Sequence, residues 1–242
     1  MASQIMNPIS PRFRDTLDYA ATLHATQTRK GTAIPYLSHL MAVAGLAMEY
    51  GATEDETIAA LLHDAVEDQG GEPTRQEIER RFGANVARIV KDCSDTDEIP
   101  KPPWRKRKIA YVEGLRHHDD STRLVSACDK LHNVRSILAD YHRIGDAVFD
   151  RFTGGKDGTL WYYRWLVETF KEFGPQSVAE DLERAVGELE RLAADGRRAY
   201  TPLSPDEKKH LFDQLAEIER TQQELGLDQD YPRNYGGEPR EA

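Results

Sequence analysis

Apolar residues recur at intervals of three and four positions along almost the whole chain, and this spacing restricts it to helices. Leu40, Val43, Ala44 and Ala47 form one such series, and similar series occur from end to end. A helix with 3.6 residues per turn places these positions on one face, whereas a half-buried strand needs alternation at period two, which no stretch sustains. The sequence therefore predicts an all-α fold.

Glycine and proline clusters divide this pattern into separate helices. Two helix starts carry the signature of a capping box, because Thr53 precedes Glu56 by three residues and Thr74 precedes Glu77 in the same way. The predicted helices cover residues 11–29, 37–50, 54–68, 74–82, 84–93, 104–118, 121–142, 157–173, 177–198 and 204–225.

The length of 242 residues suits one domain with an appendage, since a domain takes roughly 150 residues. The last 43 residues carry 10 acidic and 5 basic side chains, which is half of the formal net charge of −10. We expect residues 1–199 to form the main helical bundle. Residues 200–242 are expected to add an acidic helix and a mobile tail.

Composition excludes several classes of protein. No apolar run approaches the roughly 20 residues that cross a bilayer, and the first 14 residues lack the pattern of a secretory signal. Cys93 and Cys128 have no zinc-site spacing and are too few for a disulfide scaffold. An acidic chain has no overall positive potential with which to bind nucleic acid. We expect a cytoplasmic protein that binds neither nucleic acid nor membranes, and homo-oligomer formation stays open.

The segment LLHDAVED, from Leu61 to Asp68, places four polar side chains in an otherwise apolar helix. Burying so much polarity requires a reason. On a continuous helix Glu67 lies one turn after His63, and Asp68 lies one turn after Asp64. This edge of the helix is expected to bind a metal ion and to position a base; the alternative is a solvated face.

Two other segments supply polar residues in apolar surroundings. His39 begins a helix whose remaining face is Ala, Val and Leu, and Asp129 follows an apolar stretch. Alone, His39 is more often a core histidine than a ligand, and Asp129 is ambiguous. Together with His63 and Asp64 they provide two imidazoles and two carboxylates. This mixed set suits Mn²⁺ or Fe²⁺ and is also compatible with Zn²⁺.

Five motifs lie in a fixed order between residues 11 and 173. They are HATQTRKG at 24–31, PYLSH at 35–39, ALLHDAVED at 60–68, FG at 82–83 and DKLHNVR at 129–135. On these motifs the chain resembles the HD-domain phosphohydrolases, whose signature H…HD…D binds one divalent metal. More closely, it resembles the hydrolase domain of RelA/SpoT-type alarmone enzymes and the small alarmone hydrolases of the metazoan SpoT-homologue type.

This resemblance implies an Mn²⁺-dependent hydrolase of guanosine 3′,5′-bis(diphosphate) and of the pentaphosphate, which releases pyrophosphate from the 3′ position. Glu67 and Asp68 would orient or deprotonate the attacking water. No match to a synthetase or regulatory domain follows residue 173, so the resemblance implies degradation without synthesis. The metal ligands that it implies are His39, His63, Asp64 and Asp129.

The resemblance also implies residues that bind the nucleotide. Arg29 and Lys30 match an Arg-Lys pair beside the nucleotide, although two basic residues at a helix end also suit the helix dipole. Asn133 matches a ribose-side Asn. Either Tyr162 or Tyr163 matches a tyrosine that lines the pocket, and the alternative for both is a place in the core.

Residues 101–108, KPPWRKRK, hold five basic side chains. They are either a positive entrance for a highly charged substrate or a solvated helix start. Three other functions stay open. One is an HD phosphohydrolase acting on NADPH as a 2′-phosphatase, on an adenosine alarmone or on a nucleoside monophosphate. The others are a metal- and nucleotide-binding sensor, which the presence of both Glu67 and Asp68 disfavours, and a helical adaptor.

Overall fold

The computed structural model describes residues 10–96 and 101–196. These residues form ten α-helices and a 3-10 helix, and they contain no strand, which confirms the all-α prediction. Among them no helix has both the length and the apolar character needed to cross a membrane. The helix expected at 204–225 and the rest of the acidic appendage lie outside the described residues.

The α-helices are numbered in chain order, and a 3-10 helix at Gly145–Arg151 follows the eighth of them. Most predicted boundaries lie within a few residues of the observed ones. The ten helices are α1 (Pro11–Leu23), α2 (Leu37–Glu49), α3 (Glu54–Leu62), α4 (Ala65–Asp68), α5 (Glu72–Phe82), α6 (Ala84–Cys93), α7 (Trp104–Leu115), α8 (Asp120–Ile144), α9 (Gly155–Phe173) and α10 (Gln176–Ala194).

The two predicted capping boxes have different outcomes. Thr53 caps α3 as predicted: its hydroxyl accepts from the backbone of Glu56, whose carboxylate in turn accepts from the Thr53 N–H at 2.6 Å. Thr74 does not cap α5, so that prediction was wrong. Gly71, at φ +64°, turns the chain so that the helix starts two residues earlier than expected, and the Thr74 hydroxyl instead donates to a loop carbonyl.

Helix α8 forms the axis of the bundle. It is 25 residues long, and α2, α3, α6, α9 and α10 all pack against it. Its residues Val125, Leu131 and Val134 are completely buried, as are Leu61 and Leu62 on α3. Each fully buried aliphatic side chain of this size stabilises the fold by about 1.5–3 kcal/mol. Polar residues in the middle of α8 are thereby placed inside the bundle.

Helix α1 ends at Leu23, six residues earlier than predicted, so Arg29 and Lys30 lie in a loop and not at a helix end. The two sides of this loop pair with each other: the N–H of Arg29 donates to Ile34 at 2.8 Å and that of Tyr36 donates to Gln27 at 2.9 Å. These bonds replace helical ones. The helix-dipole interpretation of Arg29 and Lys30 is therefore wrong.

The helix predicted at 54–68 is broken in two. Helix α3 ends before His63, and α4 starts after Asp64, whose φ and ψ of −97° and −1° lie in the bridge region. Asp68 still donates its N–H to the carbonyl of Asp64 at 2.9 Å, so this pair lies one turn apart as expected. The break lets the side chains of His63 and Asp64 reach one centre, whereas a continuous helix separates consecutive residues by about 100°.

The starts of α7 and α9 meet at Trp104, whose ring packs over two glycines. A Cβ on Gly154 would lie 2.6 Å from this ring, so that position has no space for a side chain, and one on Gly158 would lie 3.2 Å away, which is a tight contact. The Trp104 ring also lies 6.2 Å from that of Trp161, which lies 5.4 Å from that of Trp165. Trp104 thereby connects this aromatic cluster to the wall of a large cavity.

Candidate metal centre and nucleotide cavity

All four predicted metal ligands meet between α2, α3 and α8. His39 and His63 are almost fully buried, and their Nε2 atoms lie 3.2 and 3.5 Å from Oδ1 of Asp129. One ligand atom from each of these three residues fits within a distance of 4.8 Å. Oδ2 of Asp64 lies 2.9 Å from Nε2 of His63 and 3.7 Å from Nε2 of His39. Helices α2 and α8 and the turn after α3 thus build a single polar cluster.

The histidine hydrogen bonds suit this cluster for a metal ion. Nδ1 of His63 lies 2.8 Å from the Ala60 carbonyl, which can only accept a hydrogen bond, so Nδ1 carries a proton. The other ring nitrogen, Nε2, is therefore the atom that can bind a metal ion. Nδ1 of His39 lies 2.7 Å from Nδ1 of His132, and burial, His39 and Arg29 lower the pKa of His132 to about 4. The Nε2 atoms of His39 and His63 are buried, and neither has a well-aligned hydrogen bond within the described part of the chain.

Charge in the metal-free cluster is balanced by a proton. Although burial opposes it, the carboxylates of Asp64 and Asp129 raise the pKa of His63 well above its usual value. Burial alone would raise the pKa of each aspartate. Lys130 and then His63 nevertheless lower the pKa of Asp129. His63 and His39 lower the pKa of Asp64 in the same way. A divalent cation would take over this balancing charge, so its binding requires release of the proton.

Two neighbours that the sequence analysis missed hold the carboxylates in place. The Tyr36 hydroxyl donates to Oδ2 of Asp64 at 2.5 Å, and burial followed by Asp64 raises the pKa of this phenol. Lys130 donates to Oδ2 of Asp129. Lys130 directly follows Asp129 in the motif DKLHN, and Tyr36 precedes His39 by three residues in the motif PYLSH, which was the available signal. Their hydrogen bonds fix the direction in which each carboxylate faces.

Glu67 and Asp68 lie on the wall of an inner cavity of about 210 Å³ that also contains Asp64 and Asp129. The Glu67 carboxylate accepts from Lys101 Nζ at 2.8 Å. The Asp68 carboxylate is exposed at the rim and accepts from Gln27 at 2.8 Å. Partial desolvation and then Asp64 raise the pKa of Asp68. The break after His63 therefore leaves both predicted catalytic carboxylates facing the cluster.

An outer cavity of about 600 Å³ adjoins the inner one, a volume typical of sites for small organic ligands. Nη2 of Arg29 donates to Oδ1 of Asn133 at 2.8 Å, and Nδ2 of Asn133 donates to Oδ1 of Asp129 at 2.5 Å. Asn133 thus connects the cavity wall directly to a metal-ligand candidate. The predicted nucleotide-binding residues that line this cavity are Arg29, Lys30, Asn133, Tyr162 and Tyr163.

The choice between Tyr162 and Tyr163 is not decided by burial. Each is 6% exposed, both line the outer cavity, and their ring centroids lie 5.6 Å apart. They differ in their hydroxyls: that of Tyr162 is buried with no hydrogen-bond partner among the described residues. The two interpretations, pocket wall and core, therefore both apply to this pair.

The basic run at 101–108 divides between the cavity and the surface. Lys101, Arg107 and Lys108 line the outer cavity, whereas Lys106 is exposed and lies outside its wall. Asp95, which no sequence pattern indicated, pairs with Arg107 and with Lys108 at 2.9 Å. Three of the five basic side chains therefore give the cavity positive charge, as the first interpretation of this run expected.

Comparison with known proteins agrees with this geometry. A family model described as "HD domain" matches residues 16–160. A Mus musculus protein named guanosine-3′,5′-bis(diphosphate) 3′-pyrophosphohydrolase MESH1 is 35% identical over 184 residues, which cover 72% of this chain and 90% of that protein. The Homo sapiens protein of the same name is 33% identical with the same coverage.

A solved structure described as a metazoan ortholog of SpoT that hydrolyzes ppGpp has the same fold. Its TM-score is 0.62 at 24% identity, and the match covers 75% of this chain and 97% of that one. The chain therefore belongs to the HD-domain family of metal-dependent phosphohydrolases. Within that family its relatives include the mouse and human MESH1 proteins.

Proposed function

We propose that this protein hydrolyses guanosine 3′,5′-bis(diphosphate) and the corresponding pentaphosphate with Mn²⁺, releasing pyrophosphate from the 3′ position. The activity is the one named for the mouse and human relatives. The observation that carries the proposal is the convergence of two imidazoles and two carboxylates beside a nucleotide-sized cavity, with Glu67 and Asp68 on the shared wall.

The ion would be held by His39, His63, Asp64 and Asp129. Their nitrogen and oxygen atoms suit Mn²⁺ better than thiolate ligands would. When bound, a divalent cation polarises a phosphate oxygen and lowers the pKa of water. Tyr36 and Lys130 keep the two aspartates aimed at the centre. The chain itself therefore supplies both the ligands and the groups that orient them.

Asp68 is the better placed general base. The Glu67 carboxylate is neutralised by Lys101 and accepts an N–H from Asp95 at 3.1 Å, which suits a group that orients water. The Asp68 carboxylate carries only the neutral Gln27 amide as a donor, and its raised pKa makes it a better proton acceptor than an ordinary aspartate. The two acids thus have separate roles.

The reaction needs positioning more than covalent chemistry. Arg29 and Tyr163 would contact the base, Lys30 the phosphates, and Asn133 the ribose. Water attacks the phosphorus bonded to the ribose 3′ oxygen, that phosphorus–oxygen bond breaks, and the nucleotide keeps its 3′ oxygen. The oxygen from water therefore ends in the released pyrophosphate.

We also propose that residues 1–199 form the catalytic domain and that residues 200–242 are an appendage. Among the described residues, Cys93 and Cys128 are buried and free, which supports a reducing compartment such as the cytoplasm.

Incubation of metal-stripped protein with guanosine tetraphosphate in ¹⁸O-labelled water, with and without Mn²⁺, tests the proposal. We expect GDP and labelled pyrophosphate only with Mn²⁺, and no product from Asp64→Asn. Asp18→Asn, an exposed change on α1, is the matched control. Bound Mn²⁺ without turnover, together with release of phosphate from NADPH or another nucleotide, would contradict the proposed substrate.

A further inference from the structure

Two lysines stand where the inner and outer cavities join. Lys108 on α7 and Lys130 on α8 line both cavities, and their side chains are only 18% and 13% exposed. Lys130 pairs with Asp129 and Lys108 pairs with Asp95 at 2.9 Å. Two ammonium groups are thus held at the boundary between the metal cluster and the nucleotide cavity.

The carboxylates that pair with these two cations are shared with other groups. Asp95 is shared between Lys108 and Arg107, and Asp129 already faces the two histidines. Burial and then the charge of Lys130 lower the pKa of Lys108. Like charges that repel in a partly desolvated pocket are stabilised when an anion binds between them.

A third group at the same place lacks a partner. The Tyr162 hydroxyl is buried and makes no hydrogen bond among the described residues, although buried phenols normally find one. The centroid of its ring lies 5.1 Å from Nζ of Lys108. Burial raises the pKa of this phenol, so its hydroxyl stays protonated and available as a donor. Tyr162 thus adds a hydroxyl donor on the outer-cavity side of the two cations.

We propose that Lys108, Lys130 and the Tyr162 hydroxyl bind the phosphate of the 3′-pyrophosphate that lies farther from the ribose. This subsite would make the protein select a pyrophosphate ester over a phosphate monoester at the reacting position. The identity of the whole substrate rests on the function proposed above, whereas the subsite itself requires only an anion with two linked phosphates.

The position of the two lysines favours this phosphate over those at the 5′ position. The inner cavity, at about 210 Å³, contains the metal-ligand candidates, so it receives the reacting phosphate. Lys108 and Lys130 also line that cavity, within reach of the next phosphate in the same chain. Lys101 and Arg151 line only the outer cavity, where they are placed to contact a 5′-diphosphate.

The test compares Lys108→Met with the unchanged protein, both loaded with Mn²⁺. By calorimetry, we expect inorganic pyrophosphate to bind about tenfold more weakly to the variant, the effect of losing one hydrogen bond to a charged group. Binding of inorganic phosphate should not change. Equal weakening of both anions, or no weakening of pyrophosphate, would overturn the subsite.

Substrate analogues separate the two ends of the nucleotide. Lys108→Met should lower kcat/KM by the same factor for guanosine tetraphosphate and for its analogue with a 5′-monophosphate and a 3′-diphosphate. It should spare any residual turnover of the analogue with a 5′-diphosphate and a 3′-monophosphate. If instead the loss follows the 5′-diphosphate, Lys108 serves the other end of the nucleotide and the proposal is wrong.

Three further variants guard against a folding artefact. Lys106→Met changes an exposed lysine on the same helix outside both cavities and should leave both anions bound as before. Lys108→Arg keeps the charge and should retain most of the pyrophosphate binding. Tyr162→Phe removes only the hydroxyl and should weaken pyrophosphate selectively, so it repeats the test if Lys108→Met does not fold.

Failure of the subsite and failure of the proposed function give different results. If guanosine tetraphosphate is not hydrolysed but pyrophosphate binding depends on Lys108, the subsite stands and the substrate is wrong. If the tetraphosphate is hydrolysed but pyrophosphate binding is the same in Lys108→Met, the function stands and the subsite is overturned.

Discussion

The backbone N–H of Asp95 donates to the Glu67 carboxylate across 3.1 Å, joining the loop after α6 to helix α4, which carries the candidate catalytic acids. The side chain of the same Asp95 pairs with Arg107 and Lys108 on α7. One residue therefore sets the position of an acid on one side of the cavity and of two cations on the other.

Asp95→Asn should destabilise the protein by about 3 kcal/mol, because it leaves two largely buried cations without their shared carboxylate. Urea denaturation measures the change. Asp92→Asn removes a more exposed partner of Arg88 and should cost less than about 1 kcal/mol. Equal losses in the two variants would show that Asp95 contributes no more than a surface ion pair.

Asp68→Asn should lower kcat by about 10²- to 10⁴-fold, the usual contribution of a general base, while Mn²⁺ still binds. Metal binding is followed by the thermal shift that Mn²⁺ produces. The asparagine can still accept from Gln27, so the hydrogen bond at the rim persists. Retention of more than a tenth of the wild-type kcat would assign the base to another residue.

The same Asp68→Asn variant should be more stable than the unchanged metal-free protein at neutral pH. Asp68 has a raised pKa in the fold, so ionised Asp68 disfavours folding, and the neutral amide does not. The advantage should shrink as the pH falls through the raised pKa, because Asp68 then becomes neutral as well. Melting temperatures measured from neutral to acidic pH, without metal, check this sign.

Metal binding should release a proton near neutral pH. The raised pKa of His63 keeps its ring protonated in the metal-free protein, and a metal ion needs the neutral ring. Calorimetric titrations with Mn²⁺ in buffers of different ionisation enthalpy should give different apparent enthalpies, and affinity should fall as the pH is lowered. Identical enthalpies in all buffers would mean that His63 is already neutral.

Asn133→Ala should raise KM about tenfold, since it removes the hydrogen bonds that connect Arg29 to Asp129 across the cavity. Steady-state kinetics with guanosine tetraphosphate measure the effect. Asn85→Ala, which removes an exposed bond to Asp55, is the matched control and should leave KM unchanged. A fall in kcat with no change in KM would place Asn133 with the metal ligands instead.

Two glycine-to-alanine changes should have opposite effects on stability. Gly154→Ala places a Cβ 2.6 Å from the Trp104 ring and should cost about 1–3 kcal/mol through overpacking. Gly187→Ala, inside α10 with no atom within 4 Å of the new Cβ, should stabilise the fold by about 0.5–1 kcal/mol. Denaturant midpoints of the two variants, compared directly, are the measurement.

The parts of the fold that local sequence controls were predictable. Apolar spacing gave the helices, and Thr53 with Glu56 gave the start of α3, because both signals act within one or two turns. His63 and Asp64 stood out because polarity inside an apolar helix is itself a local signal. None of these predictions required knowledge of contacts between residues that are distant in the sequence.

The features that depend on distant contacts were not predictable in the same way. The break after His63 accompanies contacts of two consecutive side chains with groups on α2 and α8, which lie far away in the sequence. The loop that holds Arg29 is built by hydrogen bonds between its own two sides, which override the helical pattern. Asp95 lies in a loop with no periodic pattern, and only its partners on α7 reveal its role.

The packing of Trp104 on Gly154 and Gly158 has a consequence for spectroscopy. The chain has three tryptophans, and Trp104, Trp161 and Trp165 form one aromatic cluster beside the outer cavity. The tryptophan emission of the unlabelled protein, excited selectively, therefore comes from a single place. A nucleotide entering the cavity changes the surroundings of this one chromophore group, so the protein carries its own optical reporter of occupancy.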